Sequence, residues 1–288
     1  MSSKKGKQMG VKRILADFTL GALRSSIRLI GPAPAAYLSE RLSLKTRIEL
    51  PQGPLAFLTG NSALLYRART VLSKEPETIE WIDSFKEGSC LWDIGANVGV
   101  YSLYAWRRRK ASVLAFEPAA ANYQVLNQNL ELNDACASVC AYCLAFTGKN
   151  QIGRLNMANT MAGGATNNFD ALGTMSPYAP QTDKTFHQGM VGFAVDHFIE
   201  MFSPRFPDHM KIDVDGIEEA ILNGARQTLA DPRLRSVLIE LETVEPAAYQ
   251  RCQAILHEAG FVLAKKGILQ ALGSSLRPMN HIFVRPGN

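Results

Sequence analysis

Five cysteines in 288 residues, an odd number, do not suggest a disulfide framework, and a reducing cytoplasm is the simplest setting for them. No uninterrupted apolar run reaches the eighteen or so residues that a membrane-spanning helix needs, which excludes a helical membrane protein. The front does not resemble a secretory signal, because Asp17 and Arg24 interrupt any hydrophobic stretch there and Gly31-Pro32-Ala33-Pro34 is a poor cleavage site. Beyond the first fifty residues positive charge is in short supply: the remaining 238 sum to −2, which argues against a nucleic-acid partner for the body of the chain. Internal repeats and long low-complexity segments are absent, so solenoid and disordered architectures drop out. What is left, at 47% hydrophobic and 20% charged, is a globular protein large enough to bury an extensive core.

The overall charge of +5 belongs to the front. Residues 1–50 hold ten Lys or Arg against Asp17, Glu40 and Glu49, a balance of +7. Within residues 11–30, Arg13, Asp17, Arg24 and Arg28 share one helical stripe while Val11, Ile14, Leu15, Phe18, Ala22 and Leu29 occupy another face. Two readings of this amphipathic helix stay open. It packs on the domain behind a basic tail, or, following the Lys4, Lys5, Lys7 cluster, it makes peripheral contact with an anionic membrane surface at the inner face of the membrane. Either way residues 1–49 read as an extension and residues 50–288 as the main domain.

From residue 89 onward strands and helices alternate. Strands are expected at Cys90–Asp93, Ser112–Phe116, Ser138–Ala145, His209–Ile212 and Ser236–Leu241, with helices at Gly99–Arg109, Ala120–Leu132, Ile217–Leu229 and Ala247–Ala259. Residues 146–207 look irregular apart from a short helix at Val195–Phe202. A closing hairpin pairs Phe261–Lys265 with His281–Val284 through Gly267 and Gly273, and a helix opening at Glu75-Pro76-Glu77-Thr78 caps the sheet. The pattern predicts an α/β fold, a doubly wound Rossmann-like sheet covered by helices on both faces.

In such a sheet ligands bind beyond the carboxyl ends of the strands, at the switch point in strand order. The stretch Leu91 to Trp106 places Asp93 at the end of an apolar strand, then the tight turn Gly95-Ala96-Asn97-Val98-Gly99, then a helix start. Small residues there are expected to let backbone N–H groups approach a nucleotide-type cofactor. Glu117, followed by Pro118, closes the second strand 24 residues after Asp93, about the offset at which an acid reaches ribose hydroxyls. Asp213 closes the fourth strand and Glu240 nearly closes the fifth. A nicotinamide enzyme would show G-x-G-x-x-G, whereas here Asn97 stands where the middle glycine belongs, so pyrophosphate binding is disfavoured.

Other candidates are weaker. Cys136, Cys140 and Cys143 form C-x3-C-x2-C, which looks like the iron–sulfur signature of radical S-adenosylmethionine enzymes. They lie in an apolar strand rather than a loop, and read as small core side chains. No metal site is expected: Asp213 and Asp215 have no clear third partner. Among the histidines, His187 sits in the irregular segment, while His197, His209, His257 and His281 are expected at surface or edge positions. Arg107-Arg108-Arg109-Lys110 ends a helix, where cations offset the dipole.

Taken together, Asp93-Ile94-Gly95-Ala96-Asn97-Val98-Gly99-Val100-Tyr101-Ser102, the upstream Glu75-Pro76-Glu77-Thr78 with Trp81-Ile82, Phe116-Glu117-Pro118, Lys211-Ile212-Asp213-Val214-Asp215-Gly216-Ile217-Glu218, Val237-Leu238-Ile239-Glu240 and His281 to Pro286 resemble the FkbM-type methyltransferases, a branch of the class I S-adenosylmethionine-dependent group. The resemblance runs over about residues 50–286. It implies a seven-stranded sheet with a reversed last strand, S-adenosylmethionine as cofactor and O-methylation of a sugar, glycolipid or natural-product hydroxyl. Family members more often carry Glu where Asp215 stands, and residues 150–190 fit poorly outside Gly163-Gly164-Ala165-Thr166, so acceptor choice is expected to reside there. On this reading Asp93, Gly95, Ala96, Asn97, Gly99, Glu117 and Pro118 form the cofactor site. Asp213 is the first candidate for the base that takes the acceptor's proton, with Asp215 sharing that role or positioning; the competing reading of Asp213 is a helix cap. The other classes that remain are a nicotinamide-dependent oxidoreductase and a non-catalytic cofactor-binding domain held on a membrane or partner.

Overall fold

The computed structural model describes residues 17–22, 25–27, 29–165, 168–169, 186–241, 246–267 and 279–287. The chain divides into two compact units, residues 1–44 and 45–288. In the first, residues 17–22, 25–27 and 29–30 are helical and α1 spans Pro32–Arg41, with proline in its first turn where no N–H is needed. Lys4, Lys5, Lys7, Arg13, Arg24 and Arg28 lie outside the described residues. Phe18 and Leu29 are 77% and 88% exposed. No helix among the described residues is long and apolar enough to cross a membrane.

The second unit opens with an antiparallel hairpin, β1 (Lys45–Ile48) and β2 (Leu55–Leu58), followed by α2 (Ser62–Thr70) and α3 (Pro76–Asp83). A seven-stranded sheet then follows. Its strands are β3 (Cys90–Ile94), β4 (Ser112–Phe116), β5 (Val139–Tyr142), β10 (His209–Ile212), β11 (Ser236–Leu241), β12 (Val262–Lys266) and β13 (Met279–Val284), in the spatial order β12-β13-β11-β10-β3-β4-β5. All pairings from β11 to β5 are parallel; β13 runs antiparallel to both neighbours. The central strands are largely apolar and buried on both faces, the signature of a parallel sheet between helical layers, with Asp93, His209 and Lys211 as buried polar exceptions. One layer holds α4 (Val100–Arg109) and α5 (Ala120–Leu132); the other holds α6 (Val195–Phe202), α7 (Glu218–Asn223), α8 (Arg226–Ala230) and α9 (Pro246–Glu258). This is the doubly wound sheet that the alternation of elements implied, with the seven strands and reversed last strand that the resemblance implied.

Three local expectations need correction. The helix expected at Ile217–Leu229 is two helices, because Gly224 packs so tightly on Thr147 that an added Cβ would lie 2.5 Å from its carbonyl oxygen. The Gly224 carbonyl leaves the helical ladder for Asp196 N, and the Asp196 carboxylate accepts the Gln227 and Thr228 amides that open α8. The strand expected at Ser138–Ala145 breaks after Tyr142. Its tail becomes β6 (Ala145–Phe146) of a second sheet, with β7 (Gln151–Met157), β8 (Asn168–Phe169) and β9 (Phe186–Phe193) in the order β6-β9-β7-β8, where irregular chain was expected. Finally, Cys136, Cys140 and Cys143 are exposed rather than core residues, since β5 is the outer strand of its sheet. No group of three metal-ligating side chains occurs among the described residues.

Arg108 at the end of α4 bonds Asp83, and Arg109 donates to the Phe85 carbonyl, so this basic run ties helices together as well as facing the dipole. His209 and His281 are buried, contrary to their expected surface positions. His209 stacks on Phe85 at 3.7 Å between ring centroids and bonds Ser236 Oγ; His281 sits between Met279 O and Tyr249 Oη.

Candidate active site

The carboxyl ends of β3, β4, β10 and β11 converge on one edge of the sheet, and the turn after β3 is built to lie flat there. Gly95 has φ +84°, and a Cβ added to it would stand 1.8 Å from the Asp213 carbonyl oxygen. Gly99, at φ +81°, leaves space for the Leu126 side chain. Both glycines therefore serve close approach of chain to chain.

The backbone amides of this turn likewise face protein. Gly95 N and Ala96 N donate to Phe116 O at 2.9 and 3.0 Å, Gly99 N to Ala96 O, and Asn97 N to Glu117 Oε2 at 2.8 Å. The amide cradle expected from the sequence is thus engaged by strand β4 and Glu117, and a phosphate finds no ring of donors here. Acceptors predominate instead. Asp93 is 1% exposed; its Oδ2 accepts from Ser102 Oγ at 2.6 Å, and its Oδ1 makes no hydrogen bond, with Lys211 Nζ 3.9 Å away. Asn97 Oδ1 is also buried without a partner. Glu117, 4% exposed, accepts from Asn97 N, Ala119 N and Asn122 Nδ2, three of the roughly four positions a carboxylate offers. Burial pushes its pKa up to about 7, against the hydrogen bonds that lower it. Pro118 lies beside it and gives its carbonyl to Gln188 Nε2. A ligand rich in donors, with an ammonium and a pair of hydroxyls, fits these free acceptors.

Above β10 the chemistry differs. Lys211, 1% exposed in mid-sheet, stands in register with Asp93 across β3 and reaches Asp213 Oδ2 at 2.5 Å. Desolvation works to lower the pKa of this lysine, but Asp213, Asp93 and Glu75 outweigh it and hold the group charged. Burial would raise the Asp213 pKa, yet Lys211, Lys74 and Arg67 bring it down to about 2. Asp213 is hence a fixed anion, and its carboxylate bonds Lys211 while its backbone N–H extends β3 pairing at Ile94 O. Asp213 does not cap α7, which starts after Ile217 without a side-chain cap, while Glu218 Oε1 accepts from Gly216 N just ahead of it. Asp215 is half-buried in the turn two residues on.

Glu240, the penultimate residue of β11, faces the same charges. Burial raises its pKa well above the usual carboxylate range, with Asp213 and Glu75 adding to the effect. Nearby, Glu75 pairs with Lys74 and accepts from Asn280 Nδ2, which also reaches Glu77. The structure thus gathers Asp93, Gly95, Ala96, Asn97, Gly99, Glu117 and Pro118 where β3 and β4 end, and Asp213 stands directly beside them at the end of β10, its carbonyl against Gly95, with Asp215 two residues further on. Arg67, Lys74, Lys211 and Asn122 were not singled out by the sequence reasoning. Lys211 had a signal: a lone cation between Met210 and Ile212 in an apolar strand requires a buried counter-charge.

Residues 93–263, more than half of the chain, match the family model described as the methyltransferase FkbM domain. The chain belongs to the FkbM methyltransferase family. It is similar to methyltransferase sdnD of Sordaria araneosa, 29% identical over 203 residues spanning 60% of this chain and 73% of that protein. A second relative, methyltransferase 1 of Beauveria bassiana (strain ARSEF 2860), is 26% identical over 190 residues, covering 62% and 75%. Among solved structures, methyltransferase FkbM from Methylobacillus flagellatus KT aligns with a TM-score of 0.45 at 14% identity over 77% of this chain and 55% of that one. An FkbM methyltransferase uses S-adenosylmethionine, and the acceptor-lined end around Asp93, Asn97 and Glu117 suits its ammonium and ribose hydroxyls.

Proposed function

We propose that this FkbM methyltransferase methylates oxygen, on a hydroxyl of a sugar, glycolipid or natural product. The observation that carries the reading is the half-buried Glu240 above β11, a carboxylate whose affinity for protons is raised by burial and by the neighbouring Asp213 and Glu75. When bound, the cofactor supplies a methyl group on a sulfonium, already a good leaving group, so the protein mainly has to align an acceptor and receive its proton. Asp93, Asn97 and Glu117 hold the cofactor, with Gly95, Ala96, Gly99 and Pro118 shaping the turn around it.

Asp213, locked on Lys211 and fully ionised at neutral pH, orients this lysine and contributes a fixed negative field; Asp215 positions the acceptor from the adjoining turn. Proton acceptance falls to Glu240, the carboxylate whose affinity for protons burial raises, whereas Asp213, held ionised by Lys211, is the weaker base. A screen of glycans, lipids and phenolics with isotopically labelled methyl donor tests the reading. Incorporation into a hydroxyl-bearing acceptor is expected, falling about a hundredfold in Glu240→Gln. Tight cofactor binding with no incorporation into any of them would favour a non-catalytic module instead.

The exposed Phe18, Leu20, Leu29 and Ile30, together with the +7 balance of residues 1–50, support peripheral contact of residues 11–30 with the anionic inner face of the membrane. Flotation with phosphatidylserine vesicles should depend on residues 1–30; equal flotation without them contradicts it.

A further inference from the structure

One segment of the second sheet's connections reaches into the cofactor end of the site. The backbone of Ala162–Gly164 is held by four side chains from three places, α2 with its cap, the glycine turn and α5. Asn61 Nδ2 donates to Ala162 O at 2.9 Å, Arg67 Nε to Gly163 O at 2.8 Å, and Asn97 Nδ2 to Gly164 O at 2.7 Å. Asn122 does two things at once: its Oδ1 accepts from Gly163 N at 2.8 Å while its Nδ2 approaches Gly164 O at 3.3 Å. Backbone polar groups in a connecting segment are ordinarily left to water or to regular pairing. Here the three carbonyls and Gly163 N meet side chains, while Gly164 N turns back on Met161 O. Gly163, at φ +84°, also lies so close to α2 that an added Cβ would stand 3.1 Å from Leu64 Cδ2 and 3.2 Å from Ala63 Cβ. The segment is therefore a strap pressed between α2 and the glycine turn.

Two of the strap's holders also hold Glu117. Asn97 donates its backbone N–H to Glu117 Oε2, and the Asn122 amide that approaches Gly164 O stands equally 3.3 Å from Glu117 Oε1. Asn122 is 2% exposed, so water does not substitute readily for either partner. Its Nδ2 is thereby divided between two acceptors at the long limit of a hydrogen bond, whereas a single well-placed acceptor would bring it nearer 2.9 Å. Any donor that takes up Glu117 Oε1 competes for that oxygen and frees the Asn122 amide for Gly164 O.

We propose that Asn122 is a positioning residue that couples cofactor occupancy at Glu117 to the seating of the Ala162–Gly164 strap over the cofactor end of the site. This rests on the cofactor reading of Glu117. Ribose hydroxyls on the carboxylate shift the amide toward Gly164 O, the strap tightens against the turn, and the cofactor's departure is slowed. Because coupling is reciprocal, loosening the strap weakens the cofactor by the same factor that the cofactor steadies the strap.

The test uses S-adenosylhomocysteine with the full chain, calorimetry for affinity and amide hydrogen exchange of residues 161–165 for the strap. In the unsubstituted protein, saturation should slow exchange of the strap about tenfold, the factor of one hydrogen bond gained. In Asn122→Ala the strap should exchange fast whether or not the ligand is present, with affinity about tenfold weaker. Asn61→Ala, which frees Ala162 O and, unlike Arg67→Ala, removes no charge that acts on Glu117, should weaken affinity while leaving exchange still responsive to ligand, and it serves as the second variant if Asn122→Ala does not fold. Binding without any response of the strap, or an undiminished response in Asn122→Ala, overturns the coupling and leaves the cofactor site standing. If the ligand fails to bind the unsubstituted protein at all, both fall.

Discussion

Replacing Gly95 by alanine probes the meeting of the β3 turn with the end of β10. The new Cβ would lie 1.8 Å from Asp213 O and 2.8 Å from Asp213 C, short of ordinary contact with the oxygen by about 1.5 Å. Both atoms are backbone, so no rotamer change relieves the overlap. The backbone at this position is left-handed, at φ +84°, which by itself costs a residue with a Cβ about 1–2 kcal/mol. Relief requires the turn to lift off β10, straining the Asp213 N to Ile94 O bond at 3.0 Å and the two amides on Phe116 O. The sum is about 4 kcal/mol or more, in the range reserved for backbone strain and broken buried networks. Gly99→Ala supplies the comparison. Its φ is nearly the same, +81°, but its Cβ would meet the end of the Leu126 side chain at 2.4 Å, which can rotate away. Its cost should be about 2 kcal/mol. Urea denaturation of both variants, with affinity for S-adenosylhomocysteine measured alongside, gives the answer: Gly95→Ala should lose at least twice the stability of Gly99→Ala and most of its ligand affinity. Equal costs for the two would refute the reasoning, because they would mean that left-handed backbone, and not the Asp213 carbonyl, decides.

Other outcomes follow from the buried charges. The carboxyl of Glu117, raised to about 7, should lose its proton when ligand hydroxyls donate to it, so S-adenosylhomocysteine affinity should rise as pH climbs from 6 to 8, with protons released; calorimetry in buffers of different ionisation enthalpy checks this, and uptake of protons contradicts it. Lys211→Met leaves Asp93 and Asp213 without their buried counter-charge and should cost about 3–5 kcal/mol in denaturant unfolding, much of it recovered by adding Asp213→Asn. His209 is buried neutral, its pKa lowered by burial to about 4 from 6.5. As pH falls from 6.5 to 4 the unfolded chain takes up a proton that the folded one refuses, so about 3 kcal/mol of stability should drain away there. His209→Gln should flatten that stretch of the thermal-stability profile, and an unchanged slope would remove His209 as its cause.

Much of the main sheet could be read from the chain because its parallel strands are short, mostly apolar and separated by amphipathic helices. Ser112–Phe116, His209–Ile212 and Ser236–Leu241 fall at their expected bounds for that reason. The second sheet could not be read in the same way. Gly189 and Gly192 interrupt β9 and Gly153 interrupts β7, which weakens any strand signal. Gly192 is there because Thr147 and Phe169 press within 2.5 and 2.9 Å of where its Cβ would stand, a tertiary demand invisible locally. The helix broken at Gly224 failed for a similar reason. At the site, the carboxylates at strand ends were legible from topology, since strand ends at a switch point face the ligand. The strap was not, because Asn61 and Arg67 belong to α2 and its cap, Asn97 to the glycine turn and Asn122 to α5, and they converge only once these are packed. Asn122, Asn129 and Asn133 do carry a trace of it: spaced seven and four residues apart on one face of α5, they form an amide stripe whose later two members stitch β2 and the glycine turn.

The account's central claim is that the acceptor-lined end of the sheet around Asp93, Asn97 and Glu117 holds a nucleoside bearing an amino acid. Titrating the full chain with S-adenosylhomocysteine and, separately, with NAD by calorimetry tests it most directly. One saturable site for S-adenosylhomocysteine, lost in Glu117→Ala and absent for NAD, is the predicted result. Saturable heat with NAD alone, or S-adenosylhomocysteine binding indifferent to Glu117, would contradict it.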